Sequence, residues 1–237
     1  SASCQTWCKS LFHNMKTINY LNWYSKDYEE ALNLQTEIFN RKVEDKLAGN
    51  AGISQDFILC SHNHVYTIGK HGKESNMLVS KDFLDSIKAK VFHINRGGDI
   101  TYHGPGQITG YPSMDLDALG LGVREYIFLI EQTIIDVMAQ YNIVCQRLEG
   151  ATGVWIDAHT PKARKICAIG VKVSRGITMH GFALNVNTDL KYFSFINPCG
   201  FTDKGVTSMQ QELKREIDLE QVKQQLYEQF SKLVNNQ

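Results

Sequence analysis

Hydrophobic positions recur at helical spacing in three stretches of the chain. From Asp27 to Leu47, the residues Tyr28, Ala31, Leu32, Ile38 and Phe39 fall on one face, and Asp27 with Glu30 three positions on has the form of a capping box. Val123 to Tyr141 carries Val123, Tyr126, Ile127, Ile130, Ile134, Val137, Met138 and Tyr141 at the same spacing. Asp218 to Asn235 joins an Asp218/Gln221 cap to a stripe of Leu219, Val222, Leu226, Phe230 and Leu233. Each stripe reads as a core face.

Between the helices the pattern changes to short strand-like runs: Asp56 to Ile68, Lys90 to Ile94, Ile100 to Tyr102, Ile108 to Met114, Gly153 to Asp157, Lys165 to Ser174 and Gly181 to Asn187. Several follow one another with no room for a crossover helix. A mixed, largely antiparallel sheet and an α+β fold are therefore expected. No Pro/Ser-rich linker or repeat period divides the chain, so residues 15–237 read as one domain. Residues 1–14 lack a basic stretch followed by an apolar one and read as an extension, native or appended.

Composition narrows the function classes. At 43% apolar and 21% charged the chain has the make-up of a globular protein, and it holds no apolar run of the ~18 residues that a membrane helix needs. The 25 basic residues equal the 25 acidic ones, which argues against a nucleic-acid binder whose affinity rests on counterion release. The cysteines at 4, 8, 60, 145, 167 and 199 form no C-x-x-C pair, so a reducing cytosol is expected and neither a disulfide scaffold nor a metal.

Candidate chemistry gathers at a few places. In Arg96-Gly-Gly-Asp-Ile-Thr-Tyr-His-Gly-Pro-Gly-Gln107, glycines surround an arginine, a histidine and a glutamine, so backbone can approach a ligand closely. The same glycines could merely supply hairpin turns. Cys199 sits in Ile-Asn-Pro-Cys-Gly-Phe, a turn that can expose a nucleophile, although free cysteine is often inert packing. Lys165 leads into the apolar run Ile166 to Gly170, where its amine would be partly desolvated or would snorkel to water. Lys162, Arg164, Lys165, Lys172 and Arg175 form a basic run with no acid between them, either a solvated loop or a docking surface for an acidic protein. His62 and His64 alternate within one run and would share a strand face, with no third ligand to make them a metal site.

Taken together, Arg96 to Asp115, Gly153-Val-Trp155, Lys165-Ile-Cys-Ala-Ile-Gly170, His180-Gly-Phe-Ala-Leu-Asn185 through Leu190, and Asn197-Pro-Cys-Gly200 resemble the lipoyl(octanoyl) transferase family, over roughly Asn19 to Met209. The resemblance implies a fold like the catalytic domain of biotin and lipoate protein ligases, with a large mixed sheet, a smaller sheet and flanking helices. It implies an acyltransferase without a cofactor. The octanoyl donor would be acyl carrier protein; the acceptor would be a lysine on the lipoyl domains of 2-oxoacid dehydrogenase E2 subunits or on the glycine cleavage H protein. Carried over by motif, Cys199 is the acyl-thioester nucleophile and Lys165 its partner. Substrate binding falls to Arg96, Gly97, Gly98, Asp99, Ile100, Thr101, Tyr102 and His103, to Ala168, Ile169 and Gly170, and to Gly181, Phe182 and Ala183, with His103 and His180 as hydrogen-bonding supports. The competing readings are an ATP-dependent lipoate or biotin ligase on the same fold and a non-catalytic acyl-binding module.

Overall fold

The computed structural model describes residues 15–197 and 204–236. Along the chain run β1 (Ile18–Ser25), α1 (Tyr28–Leu47), β2 (Gln55–Ser61), β3 (Val65–Ile68), α2 (Lys81–Ser86), β4 (Lys90–His93), β5 (Ile100–His103), β6 (Gln107–Ser113), α3 (Leu116–Leu119) and α4 (Val123–Gln140). Then follow β7 (Gln146–Leu148), β8 (Ala151–Ile156), β9 (Arg164–Ser174), β10 (Ile177–Asn185), β11 (Gly205–Val206), α5 (Met209–Leu213) and α6 (Leu219–Asn235), with short 3-10 segments at Glu74–Asn76 and Leu190–Phe195.

All three expected helices are present. Asp27 caps α1 by accepting from Glu29 N, but the reciprocal half of the capping box is missing because the Glu30 carboxylate is taken by Lys26 Nζ at 2.6 Å. Asp218 caps α6 through Glu220 N and Gln221 N. An eight-stranded sheet runs β1-β2-β6-β10-β9-β8-β7, with β11 added beside β9; a three-stranded sheet runs β4-β3-β5. Among the described residues, parallel pairing is confined to β1/β2, β11/β9 and β3/β4. The remaining pairs are antiparallel, so the sheet is mixed and largely antiparallel as expected.

One expectation changes. The run Asp56 to Ile68 is not a single strand: it breaks at 62–64 into β2 of the large sheet and β3 of the small one. His62 drives the break. It is buried, and its ring bonds Lys26 O at 2.9 Å and Tyr111 Oη at 2.6 Å, both outside any ladder. His64, one turn of chain later, bonds Tyr102 Oη at 2.7 Å and stacks on Tyr192, so the two histidines do not share a strand face. The small sheet is thereby an insertion between β2 and β6, which pair with each other.

The apolar stripes of α4 and α6 cover one face of the large sheet, packing Ile130, Ile134, Phe230 and Leu226 against Phe57, Ile108, Leu184 and Ile166. Helix α1 covers the other face, with Phe39 against Ile177 and Met179. A buried ion pair locks it there. Lys42 Nζ reaches Asp56 Oδ2 at 2.7 Å and donates to Ser113 O at 2.6 Å and Ser54 O at 2.8 Å, while Asp56 also accepts from Asn19 and Ser54. Removing one member leaves the other charged and desolvated. Lys42→Met should therefore lower the unfolding free energy by about 3–5 kcal/mol, read as a lower urea midpoint at constant slope. A loss under about 1 kcal/mol, the range of solvent-exposed pairs, would contradict this account.

Candidate active site

A cavity opens on the α1 side of the large sheet, beneath the small sheet and the glycine loop at 96–99. Its free space is about 1050 Å³, part of it open to solvent. Most of the residues singled out by sequence meet here. Arg96, Gly98, Asp99, Ile100, Thr101 and His103 form one wall; Ala168, Ile169 and Gly170 of β9 and His180, Gly181, Phe182 and Ala183 of β10 form the floor, with Lys165 at one end. Gly97 and Tyr102 do not line it. Gly97 N donates instead to Val171 O at 3.1 Å, which clips the loop to β9. Tyr102 faces the core of the small sheet, its ring 5.0 Å from that of Tyr192.

The glycine loop divides between the two roles that its sequence allowed. Gly104 to Gly106 is the turn from β5 to β6, closed by Gln107 N to Gly104 O at 3.1 Å, whereas Gly98 lines the cavity. A Cβ on Gly170 would lie 2.7 Å from Gly97 O, so only glycine lets β9 pass this close beneath the loop. Arg96 is buried and braces the loop by donating to Thr67 O and Thr67 Oγ1, each at 2.9 Å. The Asp99 carboxylate accepts from Ile100 N at 2.7 Å and Asn76 Nδ2 at 2.6 Å.

Lys165 owes its aim to a β-bulge. Val154 pairs with Cys167, but the next residue, Trp155, pairs with Lys165, so β9 carries one additional residue there. Ile166 and Cys167 consequently both enter the core shared with the helices, and Lys165 and Ala168 both face the cavity. Lys165 Nζ donates to Thr152 O at 3.3 Å and lies 4.6 Å from the centre of the Trp155 ring. Past Cys167 the neighbour of β9 is β10; at Arg164–Lys165 it is β11, and Lys204, Gly205 and Val206 line this end of the cavity. Cys199, like Cys4 and Cys8, lies outside the described residues.

The cavity is polar at the end near α1. His103 Nδ1 bonds Gln107 Oε1 at 2.8 Å, and Gln107 Nε2 donates to Asn185 Oδ1 at 3.0 Å. Tyr28, Tyr111 and Asn185 line the wall as well. Burial pushes the His103 imidazole down to about 3, with His62 adding to the effect, and burial pushes His180 to about 3, helped by the Arg96 and Lys172 charges. Both are neutral rings at neutral pH. His180 has φ 61, left-handed backbone that a non-glycine residue adopts only under constraint. Its strand partner across β6 would be Pro112, which has no N–H to offer the ladder.

Three sequence readings are refined by the structure. The basic run is not free of acid in space, because Asp157 and Glu212 both bind Arg164, Glu212 through two contacts of 2.7 Å. Lys172 lies 4.4 Å over the Phe39 ring and Lys165 turns inward, which leaves Lys162 and Arg175 as the exposed members of the run. Cys60 and Cys167 are buried as packing residues, and burial raises the Cys60 thiol to about 11 and the Cys167 thiol further. Tyr28, Tyr111, Trp155, Asn185 and Lys204 were missed as lining residues. Tyr28 looked like part of a helical core stripe; Trp155 and Asn185 stood inside quoted motifs without a role.

Residues 27–231 match the family model described as the lipoyl protein ligase A/B catalytic domain. An octanoyltransferase of Bacteroides thetaiotaomicron is 54% identical over 221 residues, covering 93% of this chain and 96% of that one. Among solved structures, P. falciparum LipL1 in complex with lipoate superposes with a TM-score of 0.70 at 14% identity, covering 93% of this chain and 63% of that one, so this chain spans less than two thirds of its length. A lipoate-protein ligase A bound with ATP superposes with a TM-score of 0.66 at 13% identity, covering 91% and 85%. At such identities the structural likeness speaks for the fold alone.

The neutral histidines make stability depend on pH. Their folded pKa values lie below the unfolded value of about 6.5, so between pH 6.5 and about 3 the unfolded chain binds protons that the folded chain refuses. Stability is complete above that window and falls as pH drops through it. His180→Asn should flatten the dependence of urea-unfolding free energy on pH by about 1.4 kcal/mol per unit well inside the window. Parallel slopes for variant and wild type would mean that His180 protonates without unfolding the chain.

Proposed function

The chain belongs to the lipoyl protein ligase A/B catalytic-domain family, and from that premise we propose that it transfers octanoyl groups in protein lipoylation, from acyl carrier protein to a lysine of a lipoyl domain. It is an acyltransferase, like its relatives over most of the chain. The supporting observation is convergence: the glycine loop, the Ala168–Gly170 and Gly181–Ala183 segments and Lys165 surround one cavity whose floor is apolar and whose end carries an amine. Ile94 and Phe193, with the small groups of Ala168, Gly170, Gly181 and Ala183, suit an alkyl chain, since each methylene taken from water contributes about 0.8 kcal/mol.

In the proposed reaction the Cys199 thiolate attacks the carbonyl carbon of the octanoyl thioester. A carbon–sulfur bond forms to Cys199, the bond to the carrier's sulfur breaks, and the departing sulfur takes a proton from the Lys165 ammonium. Exchange of one thioester for another costs little, and one hard transfer becomes two easier ones. The acceptor lysine amine then attacks the Cys199 thioester. An amide bond forms, Cys199 leaves as thiolate, and the surplus proton returns to Lys165. Each step develops an oxyanion, for which backbone amides beside Cys199 and Lys165 are the proposed donors. The thioester arrives already activated, so no nucleotide is consumed. The acceptors in this reading are lipoyl domains of 2-oxoacid dehydrogenase E2 subunits and the glycine cleavage H protein.

Intact-mass spectrometry after mixing with octanoyl-carrier protein should find one octanoyl adduct, absent in Cys199→Ser, and transfer to a lipoyl domain without ATP or Mg²⁺. Lys165→Ala should lose at least a hundred-fold in rate while keeping its fold, within the ~10²–10⁴ that a positioned proton donor supplies. A strict ATP requirement would establish a ligase instead, and no adduct with retained acyl binding would leave a binding module.

A further inference from the structure

Lys165 lies in a cradle made by the neighbouring strand β8. Its Nζ donates to Thr152 O at 3.3 Å, and its Nζ lies 4.6 Å from the centre of the Trp155 ring. Its stem crosses bare backbone at Gly153: a Cβ there would lie 3.3 Å from Lys165 Cε and 2.6 Å from Cys167 O, and Gly153 has φ 129, which other residues rarely adopt. The cradle is fastened from behind. Glu131 of α4, buried on the opposite face of the sheet, accepts from Gly153 N at 3.0 Å and from Arg147 Nε at 2.9 Å. Trp155 is 2% exposed, and its Nε1 donates to Ala151 O at 2.9 Å, which fixes the plane of the indole.

We propose that Trp155 is a positioning residue for acyl transfer: its indole face, held by Ala151 and by the Glu131-pinned strand, fixes the Lys165 ammonium at the reacting end of the cavity. The inference deepens the proposed function and rests on it, since a lysine with no part in proton transfer needs no such hold. The face of an aromatic ring is electron-rich and attracts a cation placed over it. A flexible four-carbon side chain would otherwise sample many rotamers, and a proton donor is useful only within hydrogen-bonding reach of the departing atom. The indole could instead serve only to fill the space beside Ala151, Ala158 and Ala163. Leucine would fill much of that space without offering a charge-attracting face, which separates the two roles.

The test is a double-mutant cycle on octanoyl transfer from octanoyl-carrier protein to a lipoyl domain. Trp155→Leu should lower kcat about ten-fold with KM within about two-fold, and Trp155→Phe should recover most of the loss. In the Lys165→Ala background Trp155→Leu should change the residual rate no further. An equal loss with and without Lys165, or a phenylalanine no better than leucine, would make the indole a wall of the cavity and overturn the proposal. Full rate in Lys165→Ala alone would sink the proposed function instead, a distinct outcome. NMR of the wild-type protein supplies a readout that needs no foldable variant: ring current from the indole should move the Lys165 Hε protons upfield. Resonances at ordinary lysine positions would also overturn the proposal.

Discussion

One additional residue in β9 decides which way Lys165 faces. In an uninterrupted strand, alternation would put Lys165 on the same side as Cys167, in the core beneath α4 and α6; the bulge at Ile166–Cys167 reverses the phase and turns the lysine into the cavity beside Ala168. Two consecutive apolar residues, Ile166 and Cys167, anchor the inserted position, so the core itself enforces the direction of the amine. The aim of the amine and the packing of the core are here one constraint. The neighbour of β9 also changes at this place, β10 giving way to β11.

The second requirement is a roof. The small sheet leaves the large one after β2 and rejoins it at β6, and its loop at 96–99 is clipped to β9 through Gly97 N and Val171 O. Glycines at 97 and 170 let backbone meet backbone there without side chains between. Under this roof the polar groups that cannot reach water are bound to one another: Arg96 to Thr67, His103 to Gln107, and Gln107 to Asn185. A buried polar group left unpaired would cost about 1–3 kcal/mol, so the network holds the polar end of the cavity in shape before any ligand arrives.

Much of this could be read from the residues. Helical periodicity located α1, α4 and α6 because each buries one face only. The glycine loop drew notice through its own residue types, whereas the lining roles of the β9 and β10 segments and the part given to Lys165 came from the family resemblance. Other features were hidden. The break at His62 arises from a buried imidazole reaching Lys26 O and Tyr111, contacts between segments distant in sequence, although the polar run Ser61-His62-Asn63-His64 carried a local hint of a turn. The bulge could not be read because it shows only in the register with β8. Arg164 looked available because its carboxylate partners, Asp157 and Glu212, stand outside the basic run.

The walls of the cavity are drawn from Tyr28 at one extreme and Val206 at the other, with the small sheet folded between them. No contiguous fragment of the chain can hold a ligand, so binding competence appears only when these far-apart contacts have formed, a slow step for a topology so rich in non-local pairing. An occupant of the finished cavity therefore favours the native chain by mass action and restrains its opening. Supply of such an occupant and lifetime of the folded chain are coupled through the same small volume.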